Sequence, residues 1–308
     1  MKKIVKSSMV VLALGLGLSI GSSEEADAMY ESPYSYFNDY GIRQGLFSDV
    51  DSLYSKRYRA EMDQLMEKHE KGLISDDEFD ELSEQLTETD EKNLLKRATL
   101  FENYGLVKKA DIQNITHFDT DFEAYSSLNG IEQMTALEQI QGEGGNFNSF
   151  RELATLKKLK TVMLEANNQL TLNSFKNLKE LETIRLLFDG YEENEEQQDT
   201  GFTQALTTDI SALSNLDKLN KIEISARGRM ATVTLKKGTT SYQLFDPIVP
   251  SKQFEGATMK YSSDSESDEW LEWNNLNGDE KYLAFSWRIE KGANFSYTGE
   301  GQIPIRWK

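Results

Sequence analysis

A ladder of apolar residues recurs every 22 residues through the middle of the chain, and it restricts the fold more than any other feature. Leu153, Leu156, Leu159, Val162 and Leu164 form one set. Twenty-two residues later the same slots hold Phe175, Leu178, Leu181, Ile184 and Leu186. Twenty-two residues earlier they hold Ile131, Met134, Leu137 and Ile140, with Gly142 in the last slot. A fourth set, Leu213, Leu216, Leu219, Ile222 and Ile224, follows the third after 38 residues, one period plus an insertion of 16. Ile112, Ile115 and Phe118 fit one period upstream as a degenerate first turn. A unit this short cannot bury its own apolar side, so the copies must stack on one another.

The spacing L-x-x-L-x-L-x-x-N is that of leucine-rich repeats, and it predicts a solenoid over residues 109–226. The apolar positions point inward. The residues between them face solvent on the strand side: Gln139, Gln141 and Glu143, then Thr161, Met163, Glu165 and Ala166. Thr183, Arg185, Leu187 and Phe188 follow, then Lys221, Glu223, Ser225 and Ala226. Asn167 and Asp189 fall where the chain turns out of its strand, where such side chains satisfy unpaired backbone groups. Met163, Leu187 and Phe188 are apolar where the repeat exposes them, and Arg185 lies between. With Gln141, Glu165 and Glu223 they form the candidate partner-binding set, since aromatic and Arg anchors dominate binding energy. The alternative is that the acidic insertion or the helical region folds over them.

Other segments bracket the repeats. Lys2, Lys3 and Lys6 precede an apolar run over 9–20, and Ala26-Asp27-Ala28 offers small residues for cleavage, so residues 1–28 read as an export signal. A run of that length falls short of the ~20 residues that span a bilayer. With no cysteine for a lipid and no Leu-Pro-x-Thr-Gly sorting motif, the mature chain is expected to be secreted, or held loosely at the surface. Residues 29–108 form the second region. Its first part, 29–55, is rich in aromatics and turn formers and reads as a partly ordered arm. Tyr58, Met62, Leu65, Met66 and His69 then share one helical stripe, with Gly72 as a stop. Ser75-Asp76-Asp77-Glu78 is a capping box opening a second helix through Phe79, Leu82 and Leu86. A third helix, near 93–104, would cover the open end of the solenoid, as terminal caps do. After the repeats, residues 227–308 carry short β-forming runs separated by turn signals such as Asn277-Gly278-Asp279. Leu283, Phe285 and Trp287 alternate as one buried face, the pattern of a small β-sandwich. The fold class is therefore α+β and multidomain.

Chemical motifs are scarce. His69 and His117 sit in unrelated regions with no metal-ligand spacing. The run Asp119-Thr120-Asp121 resembles the start of a calcium loop, but Ala124 and Gly130 occupy the positions that need Gly and Glu. No nucleophile or phosphate-loop pattern is present, so a non-enzymatic protein without cofactor or metal is expected. A net charge of −18 disfavours nucleic acid and anionic lipid, and favours a partner with basic patches. The absence of cysteine means that stability rests on burial, as in many proteins exported by Gram-positive bacteria.

These residues carry a resemblance. The order of export signal, helices, 22-residue repeats and sandwich is similar to that of the internalins, exported bacterial leucine-rich repeat proteins. Residues 127–132 resemble the segment opening an internalin array, and 159–170 resemble one of its repeats. Residues 231–235, 254–258 and 295–302 resemble its immunoglobulin-like domain. The array is shorter than in many members, and residues 29–90 have no counterpart. The resemblance implies a short, released member that binds a host or surface protein through the concave face of the repeats. Separately, Lys71–Phe79 resembles the SHOCT motif, a helical hairpin linked to oligomerisation. That supports an alternative role, self-association through residues 56–90 at the producing cell's envelope.

Overall fold

The computed structural model describes residues 30–31, 40–104, 107–122, 127–147, 149–166, 171–188, 202 and 204–308. The expected export signal, the turn residues Asn167 and Asp189 and the acidic insertion 191–198 lie outside the described residues. Among the described residues, no helix is long and apolar enough to cross a membrane.

Strand β1 (Tyr30–Glu31) pairs with β2 (Val107–Lys108), and between them run two long helices, α1 (Tyr40–Glu70) and α2 (Asp76–Tyr104). Two sequence expectations change here. Residues 40–55 are helical, despite Gly41 and Gly45, because Leu46 and Val50 are buried with Leu53 and Tyr54 packed beside them. Tertiary contact overrides local propensity. The second and third predicted helices are one, since no Gly or Pro interrupts 76–104. The turn follows its sequence signals. Gly72 takes φ +65° while its N–H donates to His69 O (2.8 Å) and that of Leu73 to Lys68 O (2.9 Å), a Schellman stop. Ser75 N–H donates to Glu78 (3.1 Å) and Glu78 N–H to Ser75 Oγ (3.3 Å), closing the capping box.

The base of this hairpin is locked to the repeats. Arg97 is 5% exposed, lies 3.7 Å from the centre of the Tyr54 ring and donates to Asp51 at 3.0 Å. The Tyr54 hydroxyl donates to buried Asp111 at 2.9 Å, in the short helix α3 (Lys109–Gln113). Farther out, Tyr58, Met62, Leu65, His69, Phe79, Leu82 and Leu86 are all only half-buried. His69 stacks on Phe79 with ring centres 4.6 Å apart.

The repeats supply β3 (His117–Asp119), β4 (Gln139–Gly145), β5 (Thr161–Ala166), β6 (Thr183–Phe188) and β7 (Lys221–Arg229) as parallel neighbours. His117, Gln139, Thr161, Thr183 and Lys221 lie in register. The steps between them are the sequence period, and the 38-residue step leaves the strand pairing intact. On the opposite side, short 3-10 turns at Ile131–Gln133, Arg151–Thr155, Leu172–Phe175 and Ser211–Leu213 return the chain. Every ladder residue from Ile112 to Ile224 named above, Gly142 apart, is at most 5% exposed. At Gly142 a Cβ would stand 2.3 Å from the Phe122 ring, so Phe122 fills the slot that leucine occupies elsewhere. Its ring continues through Phe147, Phe150 and Phe175, with centres 5.4, 6.2 and 5.1 Å apart.

The repeat sheet does not stop at residue 226. It runs on through β14 (Phe295–Trp307), whose first half pairs parallel with β7 and whose end pairs with β8 (Val233–Leu235). β13 (Tyr282–Lys291) is antiparallel to β14 and carries β10 (Lys260–Ser262) and β11 (Glu266–Ser267) beyond it. A second layer, β9 (Ser241–Phe245) with β12 (Trp270–Asn274), covers this part. Its Trp273 donates to Ala284 O at 2.8 Å and meets Phe285 edge-on, 6.3 Å between centres. Leu283, Phe285, Trp287 and Ile289 are buried on one face of β13, and buried Tyr297 donates to Thr207 O at 2.7 Å.

Candidate binding face

The two-residue period of a strand sends even-numbered side chains of β5 and β6 into the core and odd-numbered ones onto the concave face. That alternation corrects three expectations. Phe188 is 2% exposed and faces Phe150 at 6.4 Å, and Ala166 and Ala226 are equally buried. All three strands keep pleating through these positions, so each side chain points away from the face that its preceding neighbour occupies. Phe188 therefore leaves the candidate set.

The remaining six residues gather on one face. Gln141, Met163, Arg185 and Glu223 form a single row across β4 to β7, with Asp119 of β3 at its head. Gln141 donates to Asp119 at 2.5 Å, and Arg185 pairs with Glu223 at 3.2 Å. Met163 stands between these two pairs. The next row places Glu165 beside Leu187. β4 bulges between Gly142 and Gly145, so Glu143 and Gly144 together oppose Glu165, and Gly144 takes φ +77° to allow it. Phe122 N–H donates to Glu143 O at 2.8 Å, which brings Asp121 alongside Glu143.

Together these side chains line a concavity of about 430 Å³, whose walls include Gln141, Met163, Glu165, Arg185 and Leu187. Asp119, Asp121 and Glu143 complete an acidic wall, and Arg185 is the one cation among the described residues lining it. Of that wall, Asp119 and Asp121 escaped the site reading of the sequence, where they resembled a failed calcium loop. The ladder held the signal, because Asp119 lies one period before Gln141. Asp49 of α1 adds a carboxyl close behind Asp119, pushed up to about 7 by burial first and by the charge of Asp119 second. Among the described residues no group of acids or histidines is arranged to hold a metal ion.

Fold and face together define a leucine-rich repeat protein that presents one open, concave sheet. No protein-family model and no curated protein matches the sequence. Among solved structures, an internalin (InlF) from Listeria monocytogenes superposes with a TM-score of 0.29 at 20% identity, over 42% of this chain and 40% of that one. The functional domain of InlJ from the same organism gives 0.36 at 12% identity, over 65% and 50%. The CBM51-2 and INT domains of ZmpB from Clostridium perfringens give 0.24 at 12%, over 84% and 50%. The chain thus spans about half or less of each of these structures. The repeat assignment rests on its own 22-residue strand register.

Proposed function

We propose that this chain is an exported, internalin-like protein-binding module that engages a host or surface protein through the concave face of β3–β7. The observation that carries the reading is Met163 and Leu187, outward-facing and half-exposed inside a concavity that also presents Arg185 and carboxylates. An apolar centre within a polar rim is the anatomy of a protein interface. In this reading α1 and α2 close the first-repeat end of the array, and residues 227–308 form an immunoglobulin-like sandwich supporting the last repeat. The test is saturable binding of tagged chain to intact animal cells and to Gram-positive bacteria. Met163→Asp with Leu187→Asp is expected to lower binding at least ~30-fold, since two desolvated anchors contribute ~2 kcal/mol or more. Unchanged binding would remove the face from the account.

A second reading has its own observation. The apolar stripe of the α1–α2 hairpin is nowhere fully buried beyond its base, and Leu73 and Leu95 are each 69% exposed. A second copy could cover this stripe, giving the self-associating envelope protein. Sedimentation of the full chain separates the two readings: a strict monomer removes the hairpin role.

A further inference from the structure

From the row of carboxylates in the groove, we infer that the partner presents a lysine- or arginine-bearing segment, with an apolar residue beside the cation. This deepens the proposed function and rests on it. Three ion pairs place opposite charges on neighbouring repeats across from each other: Lys160 meets Glu138 at 2.7 Å, Arg185 meets Glu223 at 3.2 Å, and Lys218 meets Glu180 at 2.5 Å. Glu143 and Glu165 do not follow that pattern. They stand as like charges on neighbouring repeats of one row, at the bulge of β4. Strands are ~4.8 Å apart, and like charges facing each other at that spacing destabilise a sheet.

Among the described residues, no lysine or arginine forms an ion pair with Glu143 or Glu165, and the nearest cation of the groove, Arg185, is held by Glu223. Where like charges face each other across adjacent strands of a sheet with no cation of their own between them, the site is expected to serve function. A cation brought by a partner would relieve the repulsion, and the row continues directly into Leu187, with Met163 diagonal to it. The segment that fits therefore sets its basic side chain between Glu143 and Glu165 and its apolar side chain on Leu187 and Met163. Charge complementarity of this kind fixes register and speeds encounter.

The test uses two labelled ten-residue peptides as probes, one alternating Lys and Leu, the other Glu and Leu, titrated with the full chain by fluorescence anisotropy. The Lys–Leu peptide is expected to bind at least ~10-fold more tightly, with affinity falling between about 50 and about 300 mM salt. Glu143→Gln with Glu165→Gln should weaken it ~10-fold while raising the melting temperature, because the repulsion is gone. Glu255→Gln with Glu266→Gln changes net charge equally on exposed positions outside the groove and should leave affinity within ~2-fold. Equal weakening by both pairs, or equal binding of the two peptides, overturns the inference. If Met163→Ser with Leu187→Ser weakens binding but the groove glutamines do not, the face binds without selecting charge. If none of the variants changes binding, the face itself is wrong.

Discussion

The repeat sheet and the helical hairpin both announce themselves by periodicity, yet they bury their apolar residues to very different degrees. In the repeats, each ladder residue is covered by copies on either side and by the 3-10 turns behind, and exposure falls to a few per cent. In the hairpin, Tyr58, Met62, Leu65, Leu82 and Leu86 keep the expected spacing but remain half-exposed, because two helices alone leave the stripe open on its flanks. Periodicity reports which residues share a side. Burial depends on how many layers meet there.

The largest expected contrast lies in core truncation. Leu186→Ala should cost about 3–4 kcal/mol in urea unfolding, as fully buried leucines do, whereas Leu82→Ala should cost about 1 kcal/mol or less. Equal losses would mean that the hairpin is covered in solution, and would favour its self-association. Gly142→Ala comes next. Its Cβ would meet Thr120 O at 2.0 Å and the Phe122 ring at 2.3 Å, so Phe122 must leave its slot. Overpacking of this kind costs about 1–3 kcal/mol, and thermal melting checks it. Gly256→Ala tests a different penalty, since φ is +83° there but no atom lies within 4 Å. Its strain should cost about 1 kcal/mol.

The join between the two regions supplies a pH dependence. Asp49 titrates near 7 in the folded protein against an ordinary 3.8, so the native state holds this proton more tightly than the unfolded chain. Its contribution to stability is complete below pH 4 and is lost as pH rises through about 7. The charged groups facing it that set the shift are Asp119, which raises it, and Lys56, which lowers it. Asp49→Asn should flatten the stability profile between pH 4 and 8 and stabilise the chain most at the alkaline end. A profile unchanged by the substitution would place the titration elsewhere. The smallest effect belongs to the hairpin turn. Glu78 is held below the usual carboxylate range by the Ser75 backbone N–H and then by its hydroxyl, so its cap is complete at neutral pH and is lost as acid protonates it. Ser75→Ala should loosen only the first turn of α2, seen as faster amide exchange at Glu78 and Phe79.

How far the sequence could be read follows from the same physics. The strand register, the inward ladder, Gly72 and the capping box were all legible, because each depends on spacing or on a local hydrogen bond. Five of the seven candidate residues come together in one groove, and Glu223 joins through Arg185. Phe188 was misplaced by setting two consecutive residues, Leu187 and Phe188, on one face, which the two-residue period of a strand does not allow. The start of α1 was missed because its helicity depends on the first repeat against which Leu46 and Val50 pack. Asp119 and Asp121 were read as a local motif, although their setting is made by strands 22 and 44 residues away. The continuity of the repeat sheet into β14 was also out of reach. It joins residues 221–229 to residues 295–302, and no local pattern encodes that partnership.

The central claim is that the concave face, rather than the hairpin, meets the partner. A photo-cross-linking residue placed in turn at Leu187, at exposed Lys157 on the opposite side and at Leu95 on the hairpin tests it on intact cells. The account predicts a discrete cross-linked protein from Leu187 alone. Cross-links from Leu95 or Lys157 but not from Leu187 would contradict it.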